Sequence, residues 1–285
     1  VLEYFPIHGR AMPLRVLLHY CQVPYKDYFV SQYHFAAKKK RGFYPFGQVP
    51  ILHLDDGSML FQTRAIARFI ARCYKGCKGE VMYPGDDDPL LSFEIDSVLD
   101  TLEDFVPRIM FFTSVPQPSE EFDDMFTQFI LKDFPTFVEG LSKLIEQKQS
   151  RYLVSNSMSL ADIFAGTFLM QLPFNEDNPH QHILQAVVNR FPSVRAWVER
   201  TMENLKPWKQ QFRFVIEPLP RLGLMKNSGL AIRTLLIYSG IDFEPDEFDE
   251  ALWAENKHKI GLPFAHLPYF VDCNFRLTGL SAILQ

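Results

Sequence analysis

Residues 46–70 read FGQVPILHLDDGSMLFQTRAIARFI, and this stretch decides the fold class. An apolar strand follows Val49-Pro50, Asp55-Asp56-Gly57 marks a turn, and a second strand runs to Gln62-Thr63. A helix then begins, with Ala65, Ile66, Phe69 and Ile70 at helical spacing. A proline loop, a hairpin and a polar helix start are the parts that can hold a small anionic ligand by its backbone. The first N–H groups of a helix lack partners within it, and its dipole favours negative charge there.

Upstream of this stretch the pattern is strand, helix, strand. Leu2 to Phe5 is a short apolar strand, Pro6 to Pro13 a loop, and Leu14 to Cys21 a helix with Leu14, Leu17, Leu18 and Cys21 on one face. Val23-Pro24 stops it, Tyr25 to Val30 alternates like a strand, and Ser31 to Tyr44 reads as loop and broken helix. The order β-α-β then β-β-α predicts a small mixed sheet with helices packed on it. Lys75 to Pro89, rich in Gly, Pro, Asp and Lys, has the composition of a linker.

Beyond the linker the pattern is helical. Phe93 to Phe105 carries Ile95, Val98, Leu99, Leu102 and Phe105 on one stripe. Phe122 to Ile145 is a second helical stretch, broken at Pro135. Ser159 with Asp162 predicts a capping box, and the interior Ile163 to Leu172, apolar nearly all round, predicts a buried central helix. Pro192 to Leu205 is the last clear helix of this part.

The totals agree with a water-soluble globular chain of about two domains. Of 285 residues, 47% are hydrophobic and 22% charged, and the net charge of −5 argues against nucleic acid as a partner. The four cysteines (Cys21, Cys73, Cys77, Cys273) are too few for a disulfide framework, which points to a reducing, cytoplasmic setting. Cys73 and Cys77 have no second Cys/His pair at ligand spacing, so no metal is expected. No apolar run reaches the roughly 18 residues that a membrane span needs. The start at Val1 and the stop at Gln285 suggest that the natural chain extends further.

The chain also repeats itself. Arg15-Val-Leu-Leu-His-Tyr resembles Arg233-Thr-Leu-Leu-Ile-Tyr, and Pro45-Phe46-Gly47-Gln48-Val49-Pro50 resembles Pro263-Phe264-Ala265-His266-Leu267-Pro268 at the same offset. With one residue deleted at the turn, Arg64-Ala65-Ile66 meets Ser281-Ala282-Ile283. The period is far longer than the roughly 20–50 residues of a solenoid, so a second copy of the first domain is expected from about residue 213.

These residues resemble those of sigma-type glutathione transferases. Tyr4-Phe5-Pro-Ile-His-Gly9-Arg10-Ala-Met-Pro-Leu-Arg15 is similar to that family's opening motif. Phe46-Gly47-Gln48-Val49-Pro50, then Gln62-Thr63-Arg-Ala-Ile, is similar to its ligand-binding signatures. Asp96 to Asp104 matches the first helix of its C-terminal domain, and Ser159 to Asp162 its central capping box. The resemblance implies an α/β thioredoxin-like glutathione-binding domain at 1–79 and an all-α helical-bundle domain at 86–212. A second, degenerate and incomplete thioredoxin-like domain would occupy 213–285.

The resemblance also implies roles. Tyr4 would donate a hydrogen bond to the glutathione sulfur and favour the thiolate, since a free thiol of pKa about 8.5 is little ionised at neutral pH. Arg10 would add positive potential. Val49, before a cis Pro50, would pair with the ligand backbone beside Gln48, and Gln62 and Thr63 would hold the γ-glutamyl end. Phe35 and Arg41 stand where the family usually has Trp and Lys, at the glycine end. Asp100, or Asp96 one turn away, would meet the ligand's amino group from a partner subunit. In the second copy the Tyr position falls near Ile216, a longer loop from Leu219 to Ser228 replaces the Arg10 region, and Gly279-Leu280 replaces Gln-Thr, so glutathione binding there is not expected.

The implied activity is attack of the glutathione thiolate on a hydrophobic electrophile, or glutathione-dependent isomerisation or peroxide reduction. The electrophile would sit in an apolar pocket around Phe105 to Phe112 and Phe174. The implied partners are glutathione and a greasy small molecule, with a homodimer or an intramolecular pseudo-dimer as the assembly and detoxification as the setting. The competing reading is a non-catalytic scaffold subunit of a larger assembly. A thiol-disulfide oxidoreductase on the same fold is disfavoured, because its Cys-x-x-Cys would belong near His8 to Pro13 and no cysteine is there.

Overall fold

The computed structural model describes residues 1–30, 32–109, 119–176, 178–206, 221–225, 228–239, 243–258, 260, 262, 264–272 and 275–284. Phe112, Ile216, Leu219, Pro263 and Cys273 lie outside the described residues. The chain forms two compact units, Val1–Tyr28 with Val49–Val215, and Phe29–Gln48 with Ile216–Gln285.

The first sheet has the order β2-β1-β3-β4, with β1 Leu2–Tyr4, β2 Asp27–Phe29, β3 Ile51–His53 and β4 Met59–Phe61. β3 runs antiparallel to both neighbours, Leu52 opposite Leu2 and Ile51 opposite Phe61. The β3–β4 turn closes through Gly57, whose N–H donates to the Leu54 carbonyl and whose φ of 86° suits glycine. Helix α1, Met12–Tyr20, starts with a proline in its first turn, where the missing N–H costs nothing. Its Leu14, Leu17 and Leu18 are buried.

Helix α2, Gln32–Lys40, corrects the expectation of loop and broken helix. Its residues show no apolar stripe, so periodicity gave no signal, and the helix is held by contacts formed in the second unit. Helix α3, Thr63–Cys73, buries Ile66, Ala67, Ile70 and Ala71, while Ala65 and Phe69 are exposed. The buried stripe is therefore turned by one residue from the one expected.

The helical part of the first unit begins with α4, Pro89–Phe105. Asp88 caps it, its carboxylate accepting the Leu91 N–H at 3.0 Å. The predicted stripe Ile95, Val98, Leu99, Leu102 and Phe105 is buried throughout. Then come α5, Glu120–Gln128, and α6, Phe134–Lys148. A π-helical turn, Phe129–Asp133, joins them, placing the break one turn before Pro135. The proline cannot donate to a carbonyl in the preceding turn, and the wide turn takes up the misfit.

Helix α7, Leu160–Gln171, is the buried central helix, with every residue from Leu160 to Met170 buried. It packs on α1, α3 and α4. At its start Asp162 accepts from the N–H and hydroxyl of Ser159 at 2.8 and 2.9 Å. The same carboxylate accepts from the Leu153 N–H at 3.0 Å and the Trp197 indole at 2.8 Å. Helices α8, Gln181–Val188, and α9, Pro192–Asn204, complete this unit's described helices.

In the second unit the strands are β5 Arg221–Met225, β6 Glu244–Phe248, β7 Tyr269–Asp272 and β8 Phe275–Thr278, in the order β6-β5-β7-β8. β5 runs parallel to β6 and antiparallel to β7. Helices α10 Leu230–Tyr238, α11 Glu250–Asn256 and α12 Leu280–Leu284 accompany them. Leu222, Leu224, Ile232 and Leu236 form the core. The expected loop from Leu219 to Ser228 instead contains β5, a correction: its short run pairs with strands distant in sequence and carries little local signal.

Helix α2 belongs to this unit. Its His34 ring stacks on Phe248, and Nδ1 lies 3.3 Å from the buried Asp246 carboxylate. The Tyr269 hydroxyl donates to the other Asp246 oxygen at 2.5 Å. Lys40 with Glu255 and Arg41 with Asp249 add two exposed pairs at 3.8 Å, weak by their exposure and distance.

Candidate active site

Tyr4 ends β1, and its ring is 6% exposed. The loop after it turns back, so that the Arg10 backbone N–H donates to the Tyr4 hydroxyl at 3.1 Å. One lone pair of the phenol oxygen is thereby used, which leaves its own proton available for donation to another acceptor. Burial pushes the Tyr4 phenol above its ordinary pKa, opposed by the Arg10 N–H and by the charges of Arg10 and Arg15. Tyr4 stays a protonated donor at neutral pH.

Two residues without an assigned role hold this arrangement. Arg15, fully buried, donates from Nε to Asp27 at 2.9 Å and from Nη1 to the carbonyls of Ile7 and His8 at 2.8 and 3.4 Å. Its guanidinium lies 5.9 Å from the centre of the Tyr4 ring. Gly9 has φ +41°, and a Cβ there would stand 2.7 Å from the Tyr4 hydroxyl oxygen. Both residues stand in the Gly-Arg-Ala-x-x-x-Arg motif, so the signal was present in the sequence without a stated purpose.

Gly9→Ala is expected to push the phenol out of place. A shift of about 1 Å in a reacting group can cost up to ~100-fold, so kcat should fall about tenfold or more while glutathione affinity holds. Steady-state kinetics with glutathione and an aryl halide measures it; an unchanged kcat would show that the loop yields without moving Tyr4.

Arg10 does not direct its guanidinium at open space beside Tyr4. Its Nη1 donates to Glu103 on α4 at 2.6 Å. Glu103 was not foreseen, and nothing in the local sequence distinguishes it from its acidic neighbours. Gln62, the residue before α3, has φ 72°, and Thr63 opens the helix. The Val49-Pro50 peptide is cis, Val49 is 9% exposed and Pro50 is buried. Tyr4, Arg10, Val49, Pro50, Gln62, Thr63 and Asp100 lie in the first unit; Phe35, Arg41 and Gln48 lie in the second. Phe35 packs on Tyr44 with ring centres 5.2 Å apart.

Asp96 and Asp100 of α4 are engaged within the chain. Asp100 pairs with Arg64 and lies 3.9 Å from Arg68, and Asp96 accepts from Arg68 at 2.6 Å and from the Tyr83 hydroxyl at 2.9 Å. These pairs tie α4 to α3. Another stripe of α4 faces α6 across a groove of about 780 Å³, floored by Val98, Phe105, Phe137 and Leu141. The pairs Glu94–Lys148 and Arg108–Asp133 close its ends. Phe105 lines this groove, and Phe174 does not. Among the described residues no group of three or more His, Cys, Asp and Glu could hold a metal, and no helix is long and apolar enough to cross a membrane.

Known proteins match this arrangement in order. Residues 10–73 match the family model for the glutathione S-transferase N-terminal domain, and residues 103–211 the model for its C-terminal domain. Glutathione S-transferase 3 of Caenorhabditis elegans is 31% identical over 211 residues, 71% of this chain and 97% of that protein. Hematopoietic prostaglandin D synthase of Homo sapiens is 27% identical over 204 residues, 70% of this chain and 94% of that protein. The solved structure of Na-GST-3, a monomeric glutathione S-transferase from Necator americanus, shares the fold with TM-score 0.60 at 24% identity, over 74% of this chain and 95% of that one. With both family domains present in order and a relative matched over nearly its whole length, the chain is a transferase and belongs to the glutathione S-transferase family.

Proposed function

We propose that residues 1–79 and 86–212 form a glutathione-dependent transferase in which Tyr4 activates the thiol. The observation that carries this reading is the Tyr4 hydroxyl: buried ring, acceptor side taken by the Arg10 N–H, proton free to be donated. A donor aimed at sulfur stabilises the thiolate over the thiol, and the thiolate is the nucleophile. Arg10, paired with Glu103, contributes through its backbone N–H more than through its charge. Val49 pairs with the ligand's backbone, and Gln62 and Thr63 take the γ-glutamyl carboxylate at the start of α3. Asp100 serves glutathione indirectly, by orienting Arg64 on the helix that carries Thr63.

The thiolate then attacks a hydrophobic electrophile. Isomerisation and peroxide reduction use the same thiolate, and the prostaglandin D synthase relative supports the isomerase variant of the reading. Residues 213–285 are a second thioredoxin-like copy without a glutathione site. Equal strand order, a second cis proline at Leu267-Pro268 and the paired Arg15–Asp27 and Arg233–Glu247 contacts support this. Matching the sheets by register puts Leu224 at the Tyr4 position and Gly279 at that of Gln62, so neither hydroxyl nor amide is present.

Gln62→Ala tests the site. A hydrogen bond to a charged group is worth roughly 1.5–3 kcal/mol, so the glutathione Kd should rise about ten- to a hundred-fold in calorimetric titration. An unchanged Kd, or wild-type protein that fails to bind glutathione, would overturn the reading.

A further inference from the structure

We propose that the outer face of α10 is a docking surface for a second all-helical domain of the transferase type, one that presents an apolar central helix as α7 does. The inference rests on reading residues 213–285 as a second copy of the first sheet domain. Helices α1 and α10 are then equivalent residue for residue, both nine residues long and 218 apart in sequence.

The inward positions of the two helices are buried alike. Leu14 and Ile232 are both fully buried, and Leu18 and Leu236 are 2% and 7% exposed. The outward positions differ sharply. Met12, Leu17 and Tyr20 are 0%, 0% and 3% exposed, whereas Leu230, Leu235 and Tyr238 are 79%, 40% and 88% exposed.

In the first unit that outer face is covered by α7, and the Tyr20 hydroxyl is held by Glu80 of the linker at 2.6 Å. The second copy has kept apolar side chains where solvent would favour polar ones, adding Ile237 at 70% exposure where the first copy has His19. Several large apolar side chains exposed on one short helix mark an interaction site. The first unit shows what fits it: a helix apolar on nearly every side, the character of Leu160–Gln171.

The probe is a hydrocarbon-stapled, fluorescein-labelled peptide of residues 157–173, titrated with the full 285-residue chain and read by anisotropy. Saturable binding is expected, weakened at least tenfold by the double variant Leu235→Glu/Tyr238→Glu. Leu131→Glu, at a leucine 75% exposed in the first unit, should leave it unchanged. Absence of saturable binding, or equal weakening by both variants, overturns the proposal. So does sedimentation showing a wild-type dimer that Leu235→Glu/Tyr238→Glu dissociates, because the face would then serve a second copy of this chain. Hydrogen exchange at the Leu222 and Leu224 amides separates the two levels of inference. Protection without peptide binding defeats the docking surface alone, whereas rapid exchange in the wild type defeats the second-copy reading beneath it.

Discussion

Tyr4→Phe is expected to lower kcat/KM for conjugation of an aryl halide about ten- to a hundred-fold. The lost interaction is one hydrogen bond to a developing thiolate, in the class worth roughly 1.5–3 kcal/mol, and each 1.4 kcal/mol is a decade in rate. The pH dependence carries a sharper signature. Burial holds the Tyr4 phenol above its ordinary pKa, so the rising limb of the wild-type profile belongs to the thiol of bound glutathione and not to Tyr4. Phenylalanine should move that limb up, toward the value of about 8.5 of a free thiol. Rate is then recovered at high pH, and glutathione affinity changes little. The substitution also removes the acceptor for the Arg10 N–H, so circular dichroism and thermal unfolding of the variant should accompany the kinetics. An equal rate and an unmoved limb would show that another group activates the thiol.

The first sheet and the central helix were legible because their signals are local. Leu2–Tyr4, Ile51–His53 and Met59–Phe61 are short apolar runs bounded by turn residues, and Ser159 with Asp162 announces its helix by spacing alone. Helix Gln32–Lys40 was not legible, since His34, Lys40 and Arg41 meet acidic residues more than 200 positions away. Strand β5 was hidden for the same reason, being defined by its pairing to β6 and β7 and not by its own composition.

The site divides along the same line. The motif that carries Tyr4 also contains Gly9 and Arg15. Their purpose shows only in three dimensions, where one leaves room for the phenol and the other anchors the loop that supplies its N–H partner. The pairing of Arg10 with Glu103 depends on how α4 packs, which no spacing rule reveals.

The largest stability effect is expected at Asp162, far from any chemistry. Its carboxylate is fully buried and accepts four hydrogen bonds, from the Leu153 and Ser159 N–H groups, the Ser159 hydroxyl and the Trp197 indole. Burial pushes this carboxyl up in pKa while the four donors pull it down. Alanine would leave all four donors buried without an acceptor and open a void beside Trp197, itself 0% exposed. Removing one side of a buried charged network costs about 3–5 kcal/mol, a large fraction of the ~5–15 kcal/mol that a domain has. Because Asp162 caps the helix on which α1, α3 and α4 pack, the loss should reach the Tyr4 domain as well as the bundle. Asp162→Asn retains one acceptor oxygen, at Leu153 and Trp197, while turning a donor toward Ser159, so its cost should fall between wild type and alanine. Urea unfolding followed by both tryptophan fluorescence and circular dichroism measures the order. A cost below about 1 kcal/mol for alanine, in the range of an ordinary surface substitution, would show that water or a rearranged neighbour replaces the carboxylate.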